Sequence, residues 1–302
     1  MRKMLLAAAL LLPAFAASPA AAQEKVSMKC PVGGASFNYV RPARGAVVGL
    51  RPDGRPYGDS VQPAPLPECP DNGLVLYKDY EPDEVEKLAA FVGTDAYKAL
   101  RQNDTQYYRA YKLMREMGEG PDDYLWALLQ ATWEADGKPA LRKRYQEELV
   151  SASSDVPART GDITWIGLEG RVIDALRELG RFDEASAKLA KIPMLWLDVQ
   201  IPSADTADRE EILAAKQRRV WLLYFRQEQA AIERKDSAKE PLDMLPKSIA
   251  SARCAEKGLD EFSRAFCAGT LAKAAIPGAK PGAAPTEAEL EALRRKREES
   301  GR

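Results

Sequence analysis

The chain has no histidine among its 302 residues. That absence removes the usual general base at neutral pH, the Ser-His and Cys-His nucleophile pairs, and the commonest transition-metal ligand. Cysteine is scarce as well. The four residues Cys30, Cys69, Cys254 and Cys267 contain no Cys-x-x-Cys spacing, which argues against a thioredoxin-like redox site. No Ser-x-x-Lys occurs, so Ser-Lys chemistry has no motif to rest on. Neither sign of charge dominates: 44 basic residues face 45 acidic ones. This balance argues against nucleic acid or an anionic membrane surface as a partner. No apolar run is long enough to cross a bilayer as a stable helix, so stable membrane insertion is not expected. Carboxylate, Lys or Tyr chemistry is what remains for an enzyme, and a non-catalytic role gains weight.

What is present begins with a leader. Met1–Lys3 is a basic start, Met4–Leu12 an apolar run, and Ala20-Ala21-Ala22 supplies small residues before Gln23. This is the tripartite layout of a cleavable secretory signal, with Ala14-Phe15-Ala16 as an earlier possible cleavage point. Residues 1–22 therefore predict export to the periplasm. Losing Arg2 and Lys3 moves the formal net charge from −1 to −3. In an oxidising compartment the four cysteines should pair. Of the three connectivities, the spacing selects Cys30–Cys69 and Cys254–Cys267.

Composition divides the mature chain. Residues 23–82 are crowded with glycine and proline, from Pro31, Gly33 and Gly34 through Pro63, Pro65 and Pro67, which excludes long helices. Short strands fit Ser36–Val40 and Leu74–Tyr77, giving a small loop- and β-rich module with one or two hairpins. From Pro82 the pattern turns helical. Pro82-Asp83-Glu84-Val85 reads as a helix start with acids matching the N-terminal dipole. Further helices are predicted over Asp104–Met117, from Pro121, through Leu141–Leu149, and over Ile163–Leu179, Phe182–Lys191, Glu210–Arg234, Lys247–Cys254 and Leu259–Ala274. Short connections predict antiparallel packing across residues 83–275. Residues 276–302 read as a linker, Pro277–Gly282, and a flexible charged tail. The Thr286…Glu289 capping box, Leu290 and Leu293 also allow a docking helix there.

Two motifs stand out. Cys30-Pro31-Val32-Gly33-Gly34 and Cys69-Pro70-Asp71-Asn72-Gly73 share the frame Cys-Pro-x-x-Gly. A zinc ribbon uses two Cys-Pro-x-Cys-Gly knuckles around one metal; here Gly33 and Asn72 stand where the second sulfurs would be. Two thiolates and no histidine cannot close a structural zinc site, so no metal is expected. Facing knuckles would bring the surviving sulfurs within disulfide reach. Two unrelated Cys-Pro turns are the alternative. The second motif, Leu179-Gly180-Arg181-Phe182-Asp183-Glu184-Ala185, has the turn of a tetratricopeptide (TPR) repeat, although a generic helical hairpin would show the same signs.

The paired frames, followed by the run from Gly167 to Ala185, resemble an uncharacterised bacterial family with a zinc-ribbon-like beginning and TPR-like helices, labelled as a domain of unknown function. The resemblance covers residues 29–225. The chain departs from it in losing half the knuckle cysteines and gaining an export signal, so metal binding is not carried over. The family implies an architecture and no activity.

The expected fold is thus mainly α: a TPR-like antiparallel helical array behind a small, disulfide-linked N-terminal module. An aromatic-lined groove is one use for Trp126, Trp133 and Trp165, which are the candidate binding residues; core packing is the commoner one. Met194–Leu197 and Val220–Phe225 are too apolar to be wholly exposed and predict inner helix faces or an oligomer contact. Glu116 with Glu119, Asp122 with Asp123, and Glu134 with Asp136 are acid pairs of the kind a glycosidase needs, although helix surfaces carry such pairs routinely. The expected function is non-catalytic binding or scaffolding of a protein or peptide in the cell envelope, without a cofactor. The alternative is a cell-wall glycan hydrolase using a carboxylate pair.

Overall fold

A computed structural model describes residues 24–43, 45–154 and 156–271. The predicted leader over 1–22, the linker and tail over 276–302, and the end of the helix predicted to reach Ala274 lie outside the described residues. The protein is mainly helical. Two short antiparallel hairpins come first: β1 (Glu24–Lys29) with β2 (Ser36–Arg41), then β3 (Val47–Leu50) with β4 (Pro56–Gly58).

The two knuckles face each other as the repeated frame predicted. Cys30 and Cys69 are joined, their Cα atoms 5.7 Å apart. Each knuckle closes alike, with the Cys30 amide on the Ala35 carbonyl at 2.8 Å and the Cys69 amide on that of Leu74 at 2.9 Å. Asn72, at the position of a missing sulfur, ties the pair together. Its Nδ2 donates to the Val32 carbonyl at 3.0 Å and its Oδ1 accepts from the Leu74 amide at 2.9 Å. Both sulfurs are buried in an apolar cluster with Leu74, Val75, Leu88, Tyr97 and Leu113. The strand expected over Leu74–Tyr77 is reduced to one bridge, Glu68 with Val75. Leu74, Val75 and Leu76 are all buried, so the segment lacks the alternation of a half-exposed strand.

The helices start where proline, acids or a cap residue stand. Helix α1 (Pro82–Val92) has Pro82, Asp83 and Glu84 in its first turn. Thr94 caps α2 (Asp95–Asn103), accepting the Tyr97 amide at 3.1 Å. That helix is absent from the sequence reading because it is only nine residues long and buries one side chain fully, that of Tyr97. Helix α3 (Gln106–Met117) begins after an extended break at Asp104 and Thr105, two residues later than predicted. Helices α4 (Pro121–Glu134), α5 (Pro139–Ser153), α6 (Ile163–Glu178) and α7 (Phe182–Leu189) follow, each packed on the one before. At the α6–α7 turn Gly180 adopts φ +73°. There the Arg181 amide donates to the Leu176 carbonyl and the Gly180 amide to that of Arg177, both at 2.9 Å, which is the Schellman closure.

After the single turn α8 (Met194–Leu197), the long α9 (Arg209–Glu233) runs back across α6, α7 and α8. Helix α6 is the centre of the molecule, buried without interruption from Trp165 to Arg177. Gly167 and Gly170 allow α9 to approach it. A Cβ at either position would lie 3.0 Å from the Trp221 ring, and at Gly170 also 3.1 Å from Tyr224. The described chain ends with α10 (Lys247–Cys254), α11 (Glu261–Phe266) and one wide turn over Cys267–Leu271, closed by the disulfide Cys254–Cys267. No helix among the described residues is long and apolar enough to cross a membrane.

Candidate binding groove

The turn of the second hairpin, Arg51-Pro52-Asp53-Gly54-Arg55, is driven into the helices. Gly54 makes the turn possible with φ +87° and no Cβ, since one would lie 2.7 Å from the Arg171 side chain. Asp53 organises it from inside, accepting from the Arg55 amide at 3.0 Å and from Arg51 Nε at 3.1 Å. Helices α4 to α6 and α9 then seize the turn. The Trp133 indole donates to the Asp53 carbonyl at 3.2 Å, and Tyr224 and Arg171 both donate to the Pro52 carbonyl.

Around this turn lies a network of charges. Arg142 reaches Asp53 at 3.2 Å, Asp136 at 3.0 Å and Glu178 at 2.9 Å. Asp136 also receives Arg51, Arg55 and Lys239. Burial pushes the Asp136 carboxyl up, but the hydrogen bonds and positive charges win and bring it down to about 2. Glu178 goes the other way. Burial and the neighbouring Asp174 lift it to about 7 despite Arg142. Beneath it Arg177 holds both Asp174 and Glu228 with no exposure at all. Oδ2 of Asp174 and Oε1 of Glu228 are buried without a donor, while burial and Asp174 raise Glu228 well above the usual range. A proton held on Glu228 answers both the burial of that carboxyl and its missing donor.

Next to the inserted turn is an open groove of about 460 Å³. Leu50, Arg51 and Pro52 form one wall, and α9 forms the other with Val220, Trp221, Leu223 and Tyr224. Arg171 and Met244 also line it, and Gln217 and Gln227 are its polar side chains beside the arginines. Three apolar side chains at this site are exposed: Val220 at 63%, Leu223 at 52% and Leu50 at 48%. Leu213, one heptad before Val220, extends the same outward stripe. Arg171 is only 7% exposed. Its guanidinium lies 4.9 Å from the Trp221 ring centroid and 4.8 Å from that of Tyr224.

The predicted site residues lie elsewhere. Trp133 and Trp165 are buried in the core, and Trp126 is half-buried against it. Trp133 sits beneath the inserted turn, and none of the three lines the groove. Each acid pair has at least one member engaged within the protein. Glu119 pairs with Lys78, Asp122 with Arg159, and Asp136 with the arginine network, while Glu134 accepts the Tyr107 amide at 2.9 Å. Among the described residues no cluster of three or more metal-ligating side chains occurs.

The run Val220–Phe225, expected as an inner helix face or an oligomer contact, supplies the groove's wall on α9. Leu222 and Phe225 turn inward, as expected of an inner face, whereas Val220 and Leu223 turn out. The role of Arg51–Arg55 had no signal beyond a turn-forming Pro-Asp-Gly. No family model, no curated protein and no solved structure matches the chain.

Proposed function

We propose that this protein is an exported, non-catalytic binding or scaffolding protein of the bacterial envelope, with a TPR-like helical body that receives an apolar segment of a partner protein. The groove carries this reading: Leu50, Val220 and Leu223 stay exposed above a concave, aromatic-floored site. Isolated exposed apolar residues need no explanation, but a contiguous set around a cavity marks an interaction surface. Among the described residues strand β3 is paired on one side only, which suits an extended segment laid beside it. Two disulfides accord with an oxidising compartment. Glycan hydrolysis finds no observation in its favour, because Asp136 is a firmly ionised carboxylate and the raised Glu178 and Glu228 are buried.

Photo-crosslinking tests the proposal. A benzophenone side chain placed at Val220 should capture a defined partner segment from periplasmic extract, and one placed at the exposed Lys143 on α5 should not. Adding Leu223→Asp should cost the complex about 2–3 kcal/mol and abolish the adduct. Equal labelling from both positions, or turnover of cell-wall glycan by the purified protein, overturns it.

A further inference from the structure

The groove contains one charge that the fold leaves unanswered. Arg51, Arg142 and Arg177 are buried and each is matched by carboxylates within the protein. Arg171 is as deeply buried, yet among the described residues it has no carboxylate partner. Among those residues its one hydrogen bond goes to the Pro52 carbonyl, and its Nε, lying against Gly54, is buried with no acceptor. The flanking rings of Trp221 and Tyr224 offset part of the cost of burying this cation. They do not supply the directed acceptor that a guanidinium takes from a carboxylate.

From this we infer, resting on the reading of the groove as a binding site, that Arg171 anchors a ligand carboxylate and that the ligand is the free C-terminus of an apolar polypeptide end. The charge at the floor selects an anion, and Leu50, Val220 and Leu223 above it select apolar side chains. A terminal carboxylate is the anion that sits directly on such a chain. Gln217 is an exposed side-chain amide lining the groove, and Gln227, whose Nε2 donates to the Asp243 carbonyl at 2.6 Å, presents its Oε1 there; both suit the peptide bonds of a polypeptide rather than the methylenes of a fatty acid. Their presence and the one-sided β3 favour a peptide. Capture of a terminal carboxylate is an established way for proteins to read a chain end.

Synthetic peptides can stand in for the partner in the test. A mixture of N-acetylated tetrapeptides built from valine, leucine, isoleucine and phenylalanine is offered as free acids and as C-terminal amides, and retention by the intact disulfide-bonded protein is read by native mass spectrometry. Free acids should be held at least about tenfold more tightly than amides by the wild type. Arg171→Met should erase that preference while leaving a common residual affinity, and Arg171→Lys should retain part of it. The comparison of acid with amide on the wild type stands alone if a variant fails to fold. Equal retention of acids and amides overturns the carboxylate assignment and leaves the groove reading intact. Retention of neither overturns the groove reading itself. Displacement of the acids by decanoate at lower concentration than by any peptide overturns the choice of a peptide as the ligand.

Discussion

The knuckle around Cys30 and Cys69 and the turn at Arg51–Arg55 both fasten the N-terminal residues to the helices, by opposite means. The knuckle is covalent and apolar: two sulfurs sealed among Leu74, Val75, Leu88 and Tyr97. The turn is ionic: Arg51 and Asp53 carried into the interior to meet Asp136, Arg142 and Glu178. An apolar seal needs only the right side of each residue to face inward. An ionic one needs every partner present, because a buried charge that loses its counterpart keeps its desolvation cost. The two attachments should therefore fail in different ways.

The largest effect is expected at the ionic attachment. Asp53→Ala removes a carboxylate shared by Arg51 and Arg142, and should destabilise the fold by about 3–5 kcal/mol in a urea titration. A loss under about 1 kcal/mol would mean the turn is a passive filler. The covalent attachment comes second. Replacing Cys30 and Cys69 together by alanine releases a loop whose ends are 39 residues apart; it should cost about 2–4 kcal/mol. The apolar cluster should persist, read as unchanged near-ultraviolet dichroism. If that double variant unfolds outright, the knuckle is more than a clasp.

Acidity separates the two attachments most finely. Glu178 sits at about 7 in the fold against an ordinary 4.5, so folding takes up a proton between those values. Its stabilising share is present below about pH 4.5 and is lost as the pH rises to 7. Asp136, at about 2 against 3.8, contributes above the higher value and loses its share as the pH falls through the lower one. The thermal midpoint should thus peak between about pH 4 and 5 and decline by about 6–12 °C towards neutrality. Glu228, also raised, acts in the same direction, so Glu178→Gln should lessen the decline without abolishing it, whereas loss of the Cys30–Cys69 bond should leave its shape alone. A flat wild-type profile over that interval would remove the ionic half of the comparison.

The same contrast separates what could be read in the sequence from what could not. Cys-Pro-x-x-Gly is a local frame, and writing it twice in a chain without histidine leaves the two sulfurs few partners but each other. Helix starts were legible at Pro82, Pro121 and Ile163 because caps and prolines act within one turn. Helix α2 escaped because Tyr97 alone carries its buried face, and Leu74–Tyr77 misled because a run buried on all sides resembles a strand. Nothing near Arg51 or Asp53 announces Arg142 or Glu178, since charge pairing across 89 or more residues leaves no period to detect. The surroundings of the candidate tryptophans were illegible for a related reason. Trp133 does meet a segment of chain in the interior, but that segment is the protein's own turn. The groove was half legible: the apolar run Val220–Phe225 was visible, and its division into inward and outward members was not.

The seating of Pro52 under Tyr224 sets an order of events. The two residues are 172 positions apart, and Pro52 and Arg171 are 119 apart. At a ribosomal pace of about 5–20 residues per second, the turn is made roughly 9–34 s before Tyr224 exists. Through that interval its arginines and aspartate stay hydrated, and the face of α6 that will receive Trp221 and Tyr224 has no cover. The α9 wall and Met244 behind it therefore arrive late, so no nascent fragment ending before α9 can hold a ligand there.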